Sequence, residues 1–292
     1  MKNYHTFWKN LSVPLITVEL SFGSAFELKH GEATRLIQIQ AKDVLWQKER
    51  ILHLALEALP PHCEAVAYLD ADVVFERDDW AELSLEALEA VPLIQPFTDF
   101  WEPPPDYDLA RFRRGVDAFS GRSLASLAID GTSSYDLLRT SGARVRKTFS
   151  SAGGFAWVAR RSLLDEHGFY DACVVGSGNH AIVAASYGVQ ELTISSLRMN
   201  EERTWHFLDW AEPYAQDVGG RVGCIEGALF HLWHGDLKDR QYRERHADFV
   251  RFDFDPYSDI SIDENGCLQW SSDKPEMHQF VRDYFFSRKE DG

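Results

Sequence analysis

VAYLDADVVFERDDW, residues 66–80, begins as an apolar run and stops at two carboxylates two residues apart, Asp70 and Asp72. Its length and β-branched members predict a buried strand over 66–69. Open α/β sheets place ligands beyond their strand C-termini. Two hard oxygen donors there, next to an anionic group such as a diphosphate, suit Mg²⁺ or Mn²⁺. The plainer reading is an acidic turn, because Asp is common in turns.

The bulk of the chain narrows the field. It has 292 residues, 45% apolar and 13% aromatic, enough for one large core or two small ones. A net charge of -16 lacks the basic footprint that nucleic-acid or anionic-membrane binding needs. It leaves a phosphorylated small substrate open, since a metal and a few local cations reverse the field inside one cleft. Cys63, Cys173, Cys224 and Cys267 are scattered with no CxxC, which is neither a zinc pattern nor a disulfide framework. The first twenty residues fit neither a signal peptide nor a membrane span. The expectation is a reduced, cytoplasmic protein, with peripheral association to membrane-held substrates left open.

Working outward from residue 66, strands are expected at 13–20, 34–40 and 93–95, and helices at 42–59 and near 80–90. Leu45, Leu52, Ala55, Leu56 and Leu59 share one face of the first helix, and Pro60-Pro61 closes it. Strands alternating with helices make this an α/β layout. Periodicity fails from 101 to 146, and so long an irregular stretch is usually functional or mobile. Order returns with the glycine pair and aromatic strand of 151–159 and a short helix at 161–167. A helix at 179–187, an apolar run at 229–233, a charged helix at 238–246, a turn at 264–266 and a helix at 276–288 complete the chain. A single domain over 1–292 is expected, with 101–150 as an irregular segment on the acceptor side and 236–292 as a charged, helical extension.

Beyond the two aspartates, FHLWHGD places His231 and His234 three apart. An imidazole completing the shell of an ion held by carboxylates is ordinary chemistry for Mn²⁺ or Fe²⁺; a partly buried histidine and a chain-end histidine are the alternative. Gly153-Gly154 marks a turn or a close backbone approach to a phosphate or sugar. Arg144, Arg146 and Lys147 lie just upstream and could neutralise a diphosphate. No HExxH, GxxxxGK[ST] or GxSxG is present, and no GxGxxG follows the first strand. These absences count against zinc proteases, P-loop enzymes, α/β-hydrolases and dinucleotide dehydrogenases.

Taken in order, the DxD near residue 70, the glycine pair of SAGGFAWVARRSLLDEHGFYD, the turn VVGSGNH and the late histidines of LFHLWHG resemble a glycosyltransferase of the GT-A fold. The likeness is to bacterial family-2-like enzymes and to the C-terminal parts of the β-1,4-galactosyltransferases and polypeptide N-acetylgalactosaminyltransferases. It spans roughly residues 13–246 and includes the helix segment VLWQKERILHLAL. The resemblance implies an α/β fold with a mostly parallel sheet and the DxD at the end of a central strand. It implies Mn²⁺ (or Mg²⁺) held against the diphosphate of a nucleotide sugar, with a UDP-sugar the preferred donor. Asp72 would coordinate directly, with Asp70 near the ribose or the metal's water shell. His234 is the preferred third ligand and His231 the alternative. Gly153 and Gly154 would lie against the donor, and Glu19 near the nucleotide base.

One departure stands out. The resemblance implies, from the animal enzymes it includes, an acidic residue in the turn after the glycine-pair strand, where this chain has Gly176-Ser177-Gly178-Asn179-His180. Asn179 cannot take a proton, whereas a neutral His180 can. The base is therefore His180, a carboxylate from elsewhere such as Asp171 or Asp209, or missing. The expected activity is transfer, by inversion, to a glycan or glycoconjugate hydroxyl in bacterial polysaccharide synthesis. A sugar-binding module without turnover, a metal-dependent nucleotidyltransferase and a phosphohydrolase are the alternatives. Trp101, Tyr107, Phe112, Phe119 and Tyr135, among Arg111, Arg113 and Arg114, form an acceptor wall or anchor a surface loop.

Overall fold

A computed structural model of the chain describes residues 1–292 except 24, 106, 110–118, 141–150, 236–238, 240, 242–243 and 290–292. Its strands in chain order are β1 (Ile16–Ser21), β2 (Arg35–Gln40), β3 (Ala65–Leu69), β4 (Val73–Phe75), β5 (Leu93–Gln95), β6 (Asp99–Glu102) and β7 (Phe119–Ser123). They continue with β8 (Ser151–Ala152), β9 (Ala156–Arg160), β10 (Val222–Cys224), β11 (Ala228–His231), β12 (Ile260–Ile262) and β13 (Leu268–Trp270). β1 and β2 form a parallel ladder and β12–β13 an antiparallel one. Between them lie a four-stranded sheet, β10-β5-β9-β3, and a five-stranded sheet, β4-β11-β6-β7-β8.

The connection between these two sheets positions everything that follows. Four times a strand of one sheet passes through a three-residue link into a strand of the other. β3 enters β4 through 70–72, β5 enters β6 through 96–98, β8 enters β9 through 153–155, and β10 enters β11 through 225–227. The links are bonded to one another along a seam. Asp70 N–H donates to the Phe155 carbonyl (2.8 Å), and Thr98 N–H to that of Gly227 (2.9 Å). Gln95, fully buried, ties the seam from within. Its amide donates to the carbonyls of Ala152 (2.8 Å) and Gly154 (3.2 Å), and its Oε1 accepts Ala125 N–H (3.0 Å).

Apolar side chains on both faces explain why the strand sequences read as continuous runs. Tyr68, Leu93, Trp157 and Ala159 join one core cluster, with helices on that side, while Ile94, Ala156 and Val158 join the other. The C-terminal part packs onto the body through a third cluster, in which Leu45, Val174 and Val175 meet Phe249, Phe254, Met277 and Val281.

The α/β class is observed, but the expected mostly parallel sheet is not. Four strand pairings among the described residues are parallel and five antiparallel. β3 is also not central: it ends its sheet, pairing with β9 alone among the described residues. The cause is the glycine-pair strand, which runs antiparallel between β3 and β5. The helix expected over 42–59 is Lys48–Glu57, because the residues before it bond elsewhere. Trp46 N–H meets the Val174 carbonyl, and Gln47 bonds both backbone groups of Leu268. The stretch 101–146 is not irregular throughout. It holds β7 and the helices Leu124–Ile129 and Ser134–Thr140, elements too short for periodicity to reveal. Of the charged helix expected over 238–246, the described part is Glu244–Phe249, and residues 238, 240, 242 and 243 lie outside the described residues. No described helix is long and apolar enough to cross a membrane.

Candidate metal centre at the seam

The Asp70-Ala71-Asp72 link is clamped at both ends. Asp70 N–H bonds the glycine link, and the Asp72 carbonyl accepts Leu232 N–H (2.8 Å). β11 runs antiparallel to β4 with His231 opposite Val73, which brings the imidazole beside Asp72. The chain then turns, and His234 returns to the same place. Asp72 Oδ2 lies 3.2 Å from His234 Nε2 and 3.7 Å from His231 Nε2, and the two Nε2 atoms are 3.0 Å apart. Three donor atoms, each within 4.8 Å of the others, thus converge from two adjoining strand ends.

The surroundings fit a metal centre. The far nitrogen of His231, Nδ1, faces Glu102 Oε1 at 3.5 Å, the outer carboxylate that orients many metal-binding imidazoles. Phe155 stacks on the His231 ring with centroids 4.2 Å apart. Phe155 itself has φ +76°, a strained conformation for a residue with a side chain. That conformation lets one residue present its carbonyl to Asp70 and its ring to His231. One carboxylate and two imidazoles suit Mn²⁺, Fe²⁺ or Zn²⁺ better than the all-oxygen preference of Mg²⁺.

Asp70 has a different partner. Lys48, in the first turn of the helix Lys48–Glu57, bonds its carboxylate directly. Burial alone would raise the Asp70 pKa, but the Lys48 ammonium, with His231 and His234, holds it below the usual value. Burial likewise opposes the Lys48 charge, and Asp70, Glu49 and Asp72 more than restore it. Asp70 therefore anchors the link, and Asp72 is the carboxylate left for the histidine cluster.

Gly153 and Gly154 form the neighbouring link. Neither has the positive φ that would demand glycine. An added Cβ would make only ordinary contacts, 3.6 Å to Leu124 at Gly153 and 3.5 Å to the Asn179 amide nitrogen at Gly154. A cleft of about 2310 Å³ is lined by Asp70, Asp72, both histidines, the glycine pair and Asn179.

Two expected residues are not brought to the cluster. Glu19 organises its own loop: Oε1 accepts Glu27 N–H (2.6 Å), Oε2 accepts the Gln38 amide (2.8 Å), and the side chain is not on the cleft wall. His180 turns toward a neighbouring helix, its Nδ1 3.0 Å from Thr193 Oγ1. Burial drives its pKa down to about 4, with the Leu138 backbone opposing the shift. Its Nδ1 is thus engaged away from Asp72. Asp171 pairs with Arg50 (3.3 Å), and Asp209 accepts the Tyr257 hydroxyl (3.0 Å). Of the acceptor-wall residues, Trp101 packs against the cluster of Val74, Phe230 and Leu232, and Tyr135 is exposed. Phe112, Arg111, Arg113 and Arg114, like Arg144, Arg146 and Lys147, lie outside the described residues, as does the Phe119 side chain.

His180 yields a stability prediction with a definite sign. Its folded pKa lies below the unfolded value near 6.5, so its contribution is complete above about pH 6.5 and lost as pH falls toward 4. The loss is on the order of 3 kcal/mol, and buried His246, also shifted down, adds with the same sign. Urea unfolding in EDTA at pH 7 and pH 4.5 should show a smaller acid loss in His180→Gln than in the wild type. An identical loss in both contradicts the assignment.

Lys48, Glu102, Gln95 and Phe155 escaped the sequence reading. Only Lys48 left a signal, as a basic residue opening the helix before the DxD strand. Comparison with known proteins adds no identity: no family model, curated protein or solved structure matches this chain.

Proposed function

We propose that the protein is a metal-dependent glycosyltransferase of the GT-A type. It would move a sugar from a nucleoside-diphosphate donor, by preference a UDP-sugar, to a hydroxyl of a glycan or glycoconjugate, with inversion. The observation that carries this reading is the convergence of Asp72, His231 and His234 beside the glycine link, across one seam and facing one cleft. The glycine pair supports it. The protein's own packing does not require glycine at 153 or 154, so close approach of a ligand remains as the physical reason for leaving them bare.

Asp72, His231 and His234 would hold Mn²⁺, with Glu102 orienting His231. When bound, such an ion neutralises charge developing on the leaving diphosphate. Lys48 fixes Asp70 and adds positive charge at the same end of β3. The glycine link keeps side chains out of the path of the donor. A second reading, a nucleotide-sugar-binding module without turnover, draws support from Asn179 and from the engaged Nδ1 and lowered pKa of His180.

Calorimetry with UDP-glucose, UDP-galactose and UDP-N-acetylglucosamine, with and without Mn²⁺, followed by an assay for UDP release, tests both readings. Metal-dependent binding with release supports the transferase, and binding without release supports the module. Indifference to Mn²⁺, or preference for a nucleoside triphosphate, contradicts both. A companion variant probes the glycine link. Gly154→Ala should leave the melting temperature within about 2 °C while weakening donor binding about tenfold, a difference of roughly 1.4 kcal/mol. A marked fall in melting temperature with donor affinity intact would make the glycine structural.

A further inference from the structure

His180 lines the cleft, but its Nδ1 is engaged by Thr193 and burial holds its pKa down to about 4, a weak base. Asn179 accepts no proton, so a carboxylate from another element suits the role better. Glu49 is such a group. It follows Lys48 in the first turn of the helix Lys48–Glu57 and is only 2% exposed. One carboxylate oxygen, Oε2, accepts the Trp46 indole N–H at 3.1 Å. The rest of the carboxylate fills the space where residue 178 would carry a Cβ, so a side chain there would have to displace Glu49. Glu49 nevertheless lines the same cleft as Asp70, Asp72, Asn179 and His180.

Two short connections tie Glu49 to the reacting region. Its neighbour Lys48 grips Asp70, two residues from Asp72. Its contact Gly178 precedes Asn179, whose amide lies against Gly154. The carboxylate therefore stands at the turn where relatives are expected to carry their acidic residue, but it arrives from a different helix. Gly178 opens the helix Gly178–Ser186, whose N-terminal dipole favours an anion beside it.

We infer that Glu49 is the acceptor-side base of the transferase proposed above, an assignment that rests on that reading. The acceptor oxygen forms a bond to the anomeric carbon as the bond from that carbon to the diphosphate oxygen breaks. The electron pair leaves with the nucleoside diphosphate, and the acceptor proton goes to the Glu49 carboxylate. A desolvated carboxylate is a stronger base than an exposed one. Burial raises the Glu49 pKa first of all; Lys48 and the Trp46 bond partly oppose this, and Asp171 reinforces it. Cys173 and, across Trp46 and Gly176, Arg288 and Arg245 are further ionisable groups around it among the described residues, with His246 beyond Arg245.

Three readouts on Glu49→Gln test the assignment, with the wild type and Glu49→Asp beside it. Donor binding, measured calorimetrically with Mn²⁺ and the same three UDP-sugars, should be unchanged within about twofold. UDP release to water should fall about 100-fold or more and lose the rise with pH that marks deprotonation of a base, and Glu49→Asp should restore part of both. Because a raised carboxyl pKa costs stability as pH climbs through it, the neutral Gln variant should also melt higher than the wild type at pH 8. Equal turnover and pH profiles in wild type and Glu49→Gln overturn the role of Glu49 while leaving the transferase reading intact. Loss of donor binding in Glu49→Gln overturns it as well, in favour of a structural carboxylate. If the wild type binds none of the donors, the transferase reading fails and this assignment fails with it.

Discussion

Asp72→Asn is expected to abolish Mn²⁺-dependent binding of UDP-sugars while leaving the protein folded. Asp72 is the one carboxylate in the three-residue cluster, within 3.7 Å of both histidine Nε2 atoms. Losing a charged inner ligand should weaken metal affinity by more than the roughly 10- to 100-fold typical of outer-shell changes. The substitution is isosteric, and the Asp72 backbone bond to Leu232 is untouched. Stability should therefore change by no more than about 1 kcal/mol. Calorimetry and thermal melting on one preparation separate the effects. Asp70→Asn should behave differently, since it releases Lys48 and loosens the link more than it removes a ligand. Equal metal loss in both variants would show that the two aspartates share the ion.

Gln95→Leu should give the largest loss of stability for a change that touches no ligand. The side chain is fully buried and makes three bonds across the seam. Leucine fills similar space but leaves the Ala152 carbonyl without its amide and takes the acceptor from Ala125 N–H. That N–H lies in the first turn of the helix Leu124–Ile129, where no helical partner exists. Gly154 keeps a second bond, from Ala156 N–H, so its share is smaller. Buried groups stripped of partners cost about 1–3 kcal/mol each, giving roughly 2–4 kcal/mol in all. Urea unfolding measures it, and a loss under about 1 kcal/mol contradicts this account of the seam. Because the same amide steadies the glycine link, donor affinity should fall too.

Local chemistry was legible in the sequence, and long-range arrangement was not. Asp70 and Asp72 announce themselves because an apolar strand ends there, and the histidines and glycine pair are visible as short motifs. The passage of four strands between two sheets cannot be read locally, since each link is only three residues and its partners lie far along the chain. Antiparallel insertion of β9 made the parallel expectation fail for the same reason. Lys48 meets Asp70 from 22 residues away, and Gln95 meets Gly154 from 59; neither spacing is a motif. The candidate base shows the limit most clearly. His180 was favoured by type and position in the chain, yet its ring faces Thr193, whereas Glu49 is an unremarkable letter in a helix until Gly178 packs against it.

Electron paramagnetic resonance of Mn²⁺ titrated into the protein with UDP tests whether Asp72, His231 and His234 form one metal site. One tightly bound ion per chain is expected, its spectrum carrying nitrogen couplings from imidazole that weaken in His231→Ala and in His234→Ala and vanish in the double variant. Manganese that stays free, or binds without nitrogen couplings, would contradict it.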